Sequence, residues 1–293
     1  MINFHNYGFL DCKKLKMRLA DSNTFLSYYN PIWLFLWSDV YHPEISFGNE
    51  YIFIRVTIPN LGKCYYPPIP VMGGTDIAMT IVEMELETAE LGIDFYLGPV
   101  LDESKRKYKN LGISLYPNKY LSNYIYSAAD LTFVSNRYKK QRRAAEIFKK
   151  KNKNLFYKLM KKEDFPMILE FISKVREENN IDKDNNYFAE LNMIKKCFEH
   201  LYELDLLGMI LMNEENVFGF VIGSVVDNCT YIHARMSVKI FGAQDELMAA
   251  FARYASAKAK YIAIDCKKNT EEEKICESLY PMRIENFNGS FSI

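Results

Sequence analysis

Nine lysines and arginines are concentrated in the twenty residues of SNRYKKQRRAAEIFKKKNKN, the segment from Ser135 to Asn154. The whole chain is balanced, with 37 basic and 37 acidic residues, so any positive surface must be local. The planar guanidinium of arginine holds phosphate oxygens through two parallel hydrogen bonds. Arg137, Arg142 and Arg143 are therefore candidates for contacts to an anionic ligand. A solvated helix face is the alternative interpretation of the same residues.

The spacing in this segment predicts a helix over residues 137–151. Tyr138, Gln141, Ala145 and Phe148 recur at intervals of three, four and three, which places them on one stripe. Most of the lysines and arginines then point away from that stripe. Such a helix can bury one face and present a basic one.

Two tyrosines, Tyr124 and Tyr126, precede the basic segment and would point to the same face of a predicted strand. Aromatic rings beside arginines can stack nucleic-acid bases. Strand tyrosines also pack in a core, with the hydroxyl reaching a polar partner. The sequence leaves both interpretations open.

A histidine, His233, occupies an alternating position in the strand-like stretch CTYIHARMSV. It is either a packed strand histidine or a general acid or base that lines a groove. The four histidines lie far apart in the sequence, and none has a Cys, Asp or Glu partner at metal-ligand spacing. We therefore expect no metal site.

The stretch KIFGAQDEL offers a weak match to a coenzyme A site. GNAT acetyltransferases hold the pyrophosphate of coenzyme A at a helix N-terminus, with the sequence form Arg/Gln-x-x-Gly-x-Gly/Ala. Lys239, Gly242 and Ala243 are the nearest counterparts, and Gln244 stands where a small residue is needed. An ordinary turn leading into a helix is the alternative. No cofactor is expected from the residues, with coenzyme A kept open.

The order of predicted elements favours an α/β fold. Both halves contain strands, a glycine turn, a long helix and a further strand, so we expect two similar units, residues 1–134 and 135–293. Helices are predicted over 8–19, 73–92, 162–180, 187–204 and 241–260, and strands over 50–58, 93–100, 112–117, 154–160, 206–212, 216–226, 229–238 and 261–266. No stretch reaches the roughly 18 apolar residues of a membrane helix, and the N-terminus lacks a signal-peptide pattern. We expect a cytoplasmic protein.

Three stretches of the chain together carry a family pattern. YYNPIWLFLWSDVYHPEISFGNEYIFI places Asn30 and Trp37 before Tyr41 and a strand, and YYPPIPVMGG follows. YIYSAADLTFVSNRYKKQRRAAEIF carries the central motif, and FGFVIGSV, IHARM and FGAQDELMAAFA carry the last one. Over roughly residues 20–285, the chain resembles a soluble family related to the C-terminal domain of phosphatidylglycerol lysyltransferase.

The resemblance implies two GNAT-like acyltransferase units in tandem with a groove between them, as in Fem-type peptidoglycan aminoacyltransferases. It implies transfer of an aminoacyl group from aminoacyl-tRNA to an amine or hydroxyl acceptor, such as a small molecule or a lipid head group. The arginines 137, 142 and 143 would contact tRNA phosphates or the terminal adenosine. His233 and Arg235 would serve the acceptor side. The ester is already activated, so the protein has to position two substrates and stabilise an oxyanion, without a metal or redox cofactor.

The chain departs from the family pattern at charged positions. Asn136 and Gln141 replace a glycine and a lysine of the central motif. Arg235 stands where members carry an acidic residue, and Lys267 and Lys268 interrupt an acidic cluster. The missing acid could orient or deprotonate an attacking amine. Two alternatives therefore stay open: a binding protein of the same fold without catalysis, and a coenzyme A-dependent N-acyltransferase.

Overall fold

The computed structural model describes residues 2–19, 29–71, 76–179 and 184–290. Its internal contacts divide the chain into two compact units. Unit 1 comprises Met1–Asn123, Cys266–Thr270 and Ile284–Ile293, and unit 2 comprises Tyr124–Asp265 and Glu271–Arg283. The assignment of residues 1–134 and 135–293 to two GNAT-like repeats, with a groove between them, stays a prediction.

The described residues form a mixed α/β structure, which confirms the predicted fold class. The strands are β1 (His5–Asn6), β2 (Glu44–Phe47), β3 (Tyr51–Ile58), β4 (Gly62–Tyr65), β5 (Ile69–Pro70), β6 (Val100–Leu101), β7 (Tyr116–Pro117), β8 (Leu121–Ser127), β9 (Phe156–Leu159), β10 (Leu207–Met212), β11 (Val217–Val226), β12 (Cys229–Ser237), β13 (Tyr261–Lys267), β14 (Arg283–Glu285) and β15 (Phe287–Gly289). The helices are α1 (Phe9–Arg18), α2 (Pro31–Leu36), α3 (Ser38–Tyr41), α4 (Ile77–Leu91), α5 (Lys105–Lys109), α6 (Lys139–Lys151), α7 (Phe165–Glu178), α8 (Asn185–Glu199), α9 (Ala243–Ala255) and α10 (Glu271–Ser278).

In unit 1 the central strand is β3, which pairs antiparallel with β2, β4 and β5. A small second sheet has the order β6-β15-β7. Helix α4 begins after Asp76, whose Oδ1 accepts hydrogen bonds from two backbone N–H groups of the first turn, and it ends at Gly92 in the left-handed conformation. This confirms the predicted helix, while the predicted glycine turn at Gly73 and Gly74 lies outside the described residues.

Two predicted strands of unit 1 are wrong in extent. The structure has only Val100–Leu101 where 93–100 was predicted, and only Tyr116–Pro117 where 112–117 was predicted. Both stretches contain a proline, which lacks the N–H that a sheet ladder needs. The pairing in both stretches is short: β6 and β7 each pair with β15 over two residues, and Leu97 forms a single bridge to Tyr65.

Unit 2 is organised around a sheet with the order β14-β8-β13-β12-β11-β10-β9. Strands β9 to β12 pair antiparallel, and β12 pairs parallel with β13. Helix α9 packs on β11 and β12, and nine of its residues, all apolar except Glu246, are buried. The predicted helices over 162–180, 187–204 and 241–260 are confirmed as α7, α8 and α9.

Candidate functional site

Strands β12 and β13 separate at their C-terminal ends. They pair from Cys229 with Tyr261 to Ile232 with Ile264, and the pairing stops there although both strands continue. At the same point the register between β11 and β12 slips, and His233 is the residue that has no partner on β11. A bulge of this kind bends a strand and redirects the side chains that follow it. The bulge thus opens the sheet just before Arg235.

His233 itself is tied to the sheet. Its Nε2 lies 2.7 Å from the hydroxyl oxygen of Ser224 on β11. Burial lowers the pKa of His233 to about 3, so the imidazole is neutral near pH 7. A cavity described below lies next to His233, but His233 is not one of the described residues that line it. The structure therefore ties His233 to the sheet, outside the lining of that cavity, which favours its interpretation as a packed strand histidine.

A cavity of about 700 Å³ lies at the separated end of β12. Its walls come from the end of β12, the loop 238–240, the first turn of α9, and α10. Its charged lining residues are Arg235, Lys239, Asp245 and Glu272. The cavity is therefore lined by both cationic side chains and carboxylates.

Of the two cationic side chains that line the cavity, Arg235 is held in place by hydrogen bonds to α10, whereas Lys239 is exposed. The Arg235 side chain is 11% exposed, and its Nη2 donates to Glu272 Oε1 at 3.0 Å and to Cys276 Sγ at 3.5 Å. Its Nη1 is buried without a hydrogen-bond partner among the described residues. A buried donor of this kind costs about 1–3 kcal/mol unless a ligand pairs with it. Arg235 is thus prepared to donate to an oxygen atom of a ligand.

The start of α9 contributes a carboxyl group as well as a helix N-terminus. Asp245 lies in the first turn and lines the cavity, and burial raises its pKa to about 6. Lys239 and Gly242, two of the residues proposed for coenzyme A, line the same cavity, while Ala243 is fully buried in the helix start. A pyrophosphate here would meet Asp245, which opposes the favourable field of the helix N-terminus.

Gly242 has a structural role that the sequence did not indicate. Its φ is +86°, in the left-handed region, and a Cβ atom there would overlap the carbonyl group of Ala144 in α6. The glycine therefore allows α6 and the start of α9 to touch. This contact brings the basic helix against the wall of the cavity.

Other contacts of α6 reach the same wall. The hydroxyl of Tyr138 donates to the carbonyl of Leu279, and Gln141 Nε2 donates to the carbonyl of Ser278 at 2.9 Å. Leu279 and Ser278 both line the cavity. The helix predicted over residues 137–151 begins two residues later, at Lys139, and Tyr138 lies in the turn before it. The predicted stripe is confirmed for Tyr138, Ala145 and Phe148, which are buried, while Gln141 is partly buried.

The three arginines proposed for phosphate contacts have different surroundings. Arg137 is 45% exposed and pairs with Asp130. Arg142 Nη1 donates to the carbonyls of Phe133 at 2.9 Å and Val134 at 2.8 Å, so it holds the loop before α6. Arg143 is exposed on the basic face. Arg143 is thus the arginine of this group whose position suits an external anion best.

Tyr124 and Tyr126 lie in the core of unit 2, with side chains that are 2% and 0% exposed. Their hydroxyls donate to Glu273 Oε1 at 3.0 Å and to the carbonyl of Cys276 at 2.8 Å. Both tyrosines therefore anchor α10. Stacking on a base would require these rings to become exposed.

A second cavity of about 350 Å³ shares five lining residues with the first, namely Val175, Asn179, Val238, Lys239 and Ile240. It extends along α7 and the start of β11. Lys239 is the residue proposed from the sequence that lies here, while Asp245 and Glu272 in the first cavity were missed by sequence reasoning. The signal for Glu272 was present in NTEEE, but only the phase of α10 tells which of three successive glutamates faces Arg235.

Comparisons with known proteins agree with this architecture. The family described as "Phosphatidylglycerol lysyltransferase, C-terminal" matches residues 26–280, and the chain belongs to this family. A comparison with proteins of curated function found no match.

Solved structures share the fold at low sequence identity. A conserved protein of unknown function from Bacteroides thetaiotaomicron is 15% identical with a TM-score of 0.89, and the match covers 99% of both chains. L-PGS from Bacillus licheniformis is 11% identical with a TM-score of 0.66, over 94% of this chain and 90% of that one. FemX is 9% identical with a TM-score of 0.63, over 94% and 95%. Among the described residues, no helix combines the length and the apolar character needed to cross a membrane.

Proposed function

We propose that this protein is an aminoacyltransferase that moves an aminoacyl group from aminoacyl-tRNA to an amine or hydroxyl acceptor. The observation that supports it is the cavity of unit 2, where the unpaired Nη1 of Arg235 accompanies the carboxyl groups of Asp245 and Glu272. Membership of the lysyltransferase family and the fold shared with FemX agree with this chemistry.

Each part of an aminoacyl ester has a partner in the cavity. In the reaction the acceptor attacks the ester carbonyl, a tetrahedral oxyanion forms, and the ribose hydroxyl of tRNA leaves with the proton that the acceptor loses. Arg235 Nη1 would donate to the oxyanion, where charge develops. The α-ammonium group of the aminoacyl moiety would pair with Asp245 or Glu272.

The basic face of α6 would hold the polynucleotide. It is packed against the cavity wall through Gly242 and Ala144, and it carries Arg143 together with several lysines. Contacts of this type give affinity without base specificity, and they weaken as salt displaces the protein from the phosphates. Lys239 at the cavity is exposed and would add one such contact.

The carboxyl groups favour this function over coenzyme A-dependent acylation. The pyrophosphate of coenzyme A would approach the start of α9, where Asp245 lies, and like charges repel there. An aminoacyl group instead brings a positive charge to the same carboxylates. The two reactions therefore differ in the charge that must enter the cavity: negative for coenzyme A and positive for an aminoacyl group.

A binding experiment with matched ligands tests the proposal. The purified full chain is titrated with aminoacyl-tRNA, with the same tRNA N-acetylated on its amino acid, with bare tRNA, and with acetyl-coenzyme A, across a salt series. We expect aminoacyl-tRNA to bind about tenfold more tightly than the N-acetylated form, because acetylation removes the ammonium group that the carboxylates recognise. Binding should weaken steeply with salt.

The other outcomes point to the alternatives. Equal affinity for charged and bare tRNA would indicate a binding protein that does not use the aminoacyl group. Binding of acetyl-coenzyme A without tRNA would indicate an N-acyltransferase. Transfer itself is measured with labelled aminoacyl-tRNA, as protein-dependent movement of label to added amines or to vesicles of phosphatidylglycerol.

A further inference from the structure

Unit 1 contains a separate cavity that the proposed transfer reaction does not use. It has a volume of about 280 Å³ and is formed by α2, α3, β3, β7, β15 and the segment around Pro99. Its lining is mostly aromatic and aliphatic, and it includes Trp33, Tyr41, Tyr66 and Phe287. Of the described residues that line it, none carries a charge.

The two amide side chains in the lining, Asn118 and Asn288, are already hydrogen-bonded within the protein. Asn118 Oδ1 accepts from the backbone N–H groups of Tyr120 at 2.8 Å and Leu121 at 3.0 Å. Asn288 Oδ1 accepts from Lys105, and its Nδ2 donates to Asp102 Oδ1 at 2.7 Å. These amides hold the walls together and do not call for a polar ligand.

The walls are held in place before any ligand binds. Trp33 and Tyr41 stack on each other with ring centroids 5.3 Å apart. At the mouth, β7 pairs with β15, and Lys268 Nζ donates to the carbonyl of Asn118 at 2.9 Å. A preformed apolar cavity of this kind can bind an apolar ligand without a large entropy cost for ordering its own side chains.

The mouth of the cavity exposes aromatic surface to water. Tyr116 and Tyr120 line it and are 49% and 55% exposed. A ligand that covered these rings would remove apolar surface from solvent, which is favourable. Their position also leaves a polar end of the ligand free to stay in water.

We propose that this cavity binds the hydrocarbon part of a small amphiphile. A cavity of about 150 Å³ holds benzene, so the volume here suits a hydrocarbon group of roughly ten carbon atoms. Alkyl chains and fused aromatic rings both meet this description, because the lining is mostly aliphatic and aromatic and carries no charge. One alkyl probe and one aromatic probe distinguish these two classes of hydrocarbon.

Trp33 provides a reporter in the cavity wall. The chain contains two tryptophans, and the second, Trp37, is not among the lining residues. The variant Trp37→Phe leaves Trp33 as the single tryptophan of the chain. Brominated probes quench tryptophan on contact, so 10-bromodecan-1-ol reports on an alkyl group and 6-bromo-2-naphthol on an aromatic one.

We expect saturable quenching of Trp33 by at least one of the two probes, and the probe that quenches identifies the class of hydrocarbon. Ile58→Phe adds volume to a lining residue and should weaken this quenching at least about tenfold. Ile284→Phe is the matched control, because Ile284 belongs to unit 1, is 42% exposed and lies outside the lining. It should leave quenching unchanged.

Two results would overturn the proposal. One is the absence of saturable quenching by either probe in the single-tryptophan variant. The other is quenching in a folded Ile58→Phe protein that equals the quenching in the protein with Ile58, with folding checked by circular dichroism. If Ile58→Phe does not fold, the titration of the single-tryptophan variant decides by itself. Neither result depends on binding of tRNA.

Discussion

The guanidinium of Arg235 and the carboxylate of Glu272 form an ion pair of 3.0 Å that joins β12 to α10 in the cavity wall. The pair occupies Nη2 and fixes the plane of the guanidinium, while Nη1 stays buried without a partner among the described residues. Glu272 is 45% exposed, so the pair itself contributes little to stability. Its effect is to hold the guanidinium in one orientation at the wall of the cavity.

The first prediction follows from this orientation. Arg235→Gln removes the oriented cationic donor, and we expect the rate of aminoacyl transfer to fall about a hundredfold, as when an oxyanion donor is removed. The Kd for aminoacyl-tRNA should change much less, because the donor acts on charge that develops in the transition state. Single-turnover transfer and equilibrium binding measure the two quantities separately.

Arg253→Gln is the matched control for this variant. Arg253 also pairs with a glutamate, Glu246, but it does not line the cavity. It should leave the transfer rate within about twofold of the wild type. A folded Arg235→Gln protein with an unchanged transfer rate would remove Arg235 from the chemistry.

The second prediction separates the roles of two neighbouring arginines in α6. Arg143→Glu reverses a charge on the exposed basic face, and we expect tRNA affinity to fall, with a smaller dependence on salt, while the melting temperature stays unchanged. Arg142→Gln should instead lower the melting temperature, because Arg142 holds the carbonyls of Phe133 and Val134. Filter binding over a salt series and thermal unfolding are the measurements.

Arg106→Glu serves as the control for charge reversal. Arg106 is exposed and belongs to unit 1, outside the basic segment. It should not change tRNA affinity beyond the effect of net charge. If Arg106→Glu and Arg143→Glu weaken binding equally, the basic face of α6 is not a specific contact surface.

The stripe of α6 shows what the sequence could predict. Residues spaced three and four apart report directly on a helix face, so Tyr138 and Phe148 were correctly expected to be buried. The same pattern could not distinguish Arg142 from Arg143. Their difference depends on a loop whose carbonyls turn toward Arg142, and that loop is set by tertiary contacts.

The cavity residues show where sequence reasoning ends. Arg235 was expected at a site because of the family resemblance and Lys239 because of the coenzyme A sequence form, and the structure brings both to one cavity. His233 stands two residues before Arg235, but the bulge at this point directs its ring to Ser224 instead. A bulge adds one residue without changing the apparent alternation of the sequence, so the sequence alone could not locate it.

The third prediction concerns Gly242. Gly242→Ala should lower the free energy of unfolding by at least about 3 kcal/mol, because strain at positive φ adds to a clash with the Ala144 carbonyl and a 3.0 Å contact with Phe148 Cβ. Denaturant unfolding measures the change. The contact between α6 and α9 should loosen in the same variant.

Gly92→Ala isolates the contribution of the clash. Gly92 also has a positive φ, of +65°, but nothing lies within 4 Å of a Cβ added there. It should cost only about 1–2 kcal/mol of backbone strain. If the two variants lose the same stability, the close approach of α6 to α9 is not what requires glycine at position 242.

The fourth prediction is a pH dependence of stability that originates at His233. Burial lowers its pKa from 6.5 to about 3, so between these values the unfolded chain binds the proton and the folded protein does not. The stability that His233 contributes is present above its unfolded pKa and is lost as pH falls, by about 2 kcal/mol between about pH 7 and about pH 5. Urea unfolding of the wild type and of His233→Gln, at both pH values, measures it.

The variant should lose about 2 kcal/mol less than the wild type over this interval, because glutamine does not titrate. Asp245→Asn provides a control of opposite sign. Burial raises the pKa of Asp245 to about 6, so its contribution is present at low pH and is lost as pH rises through that value. Removing it should increase the loss on acidification by about 1 kcal/mol. If His233→Gln and the wild type lose equal stability, folding does not lower the pKa of His233, and a role as acid or base at the cavity regains support.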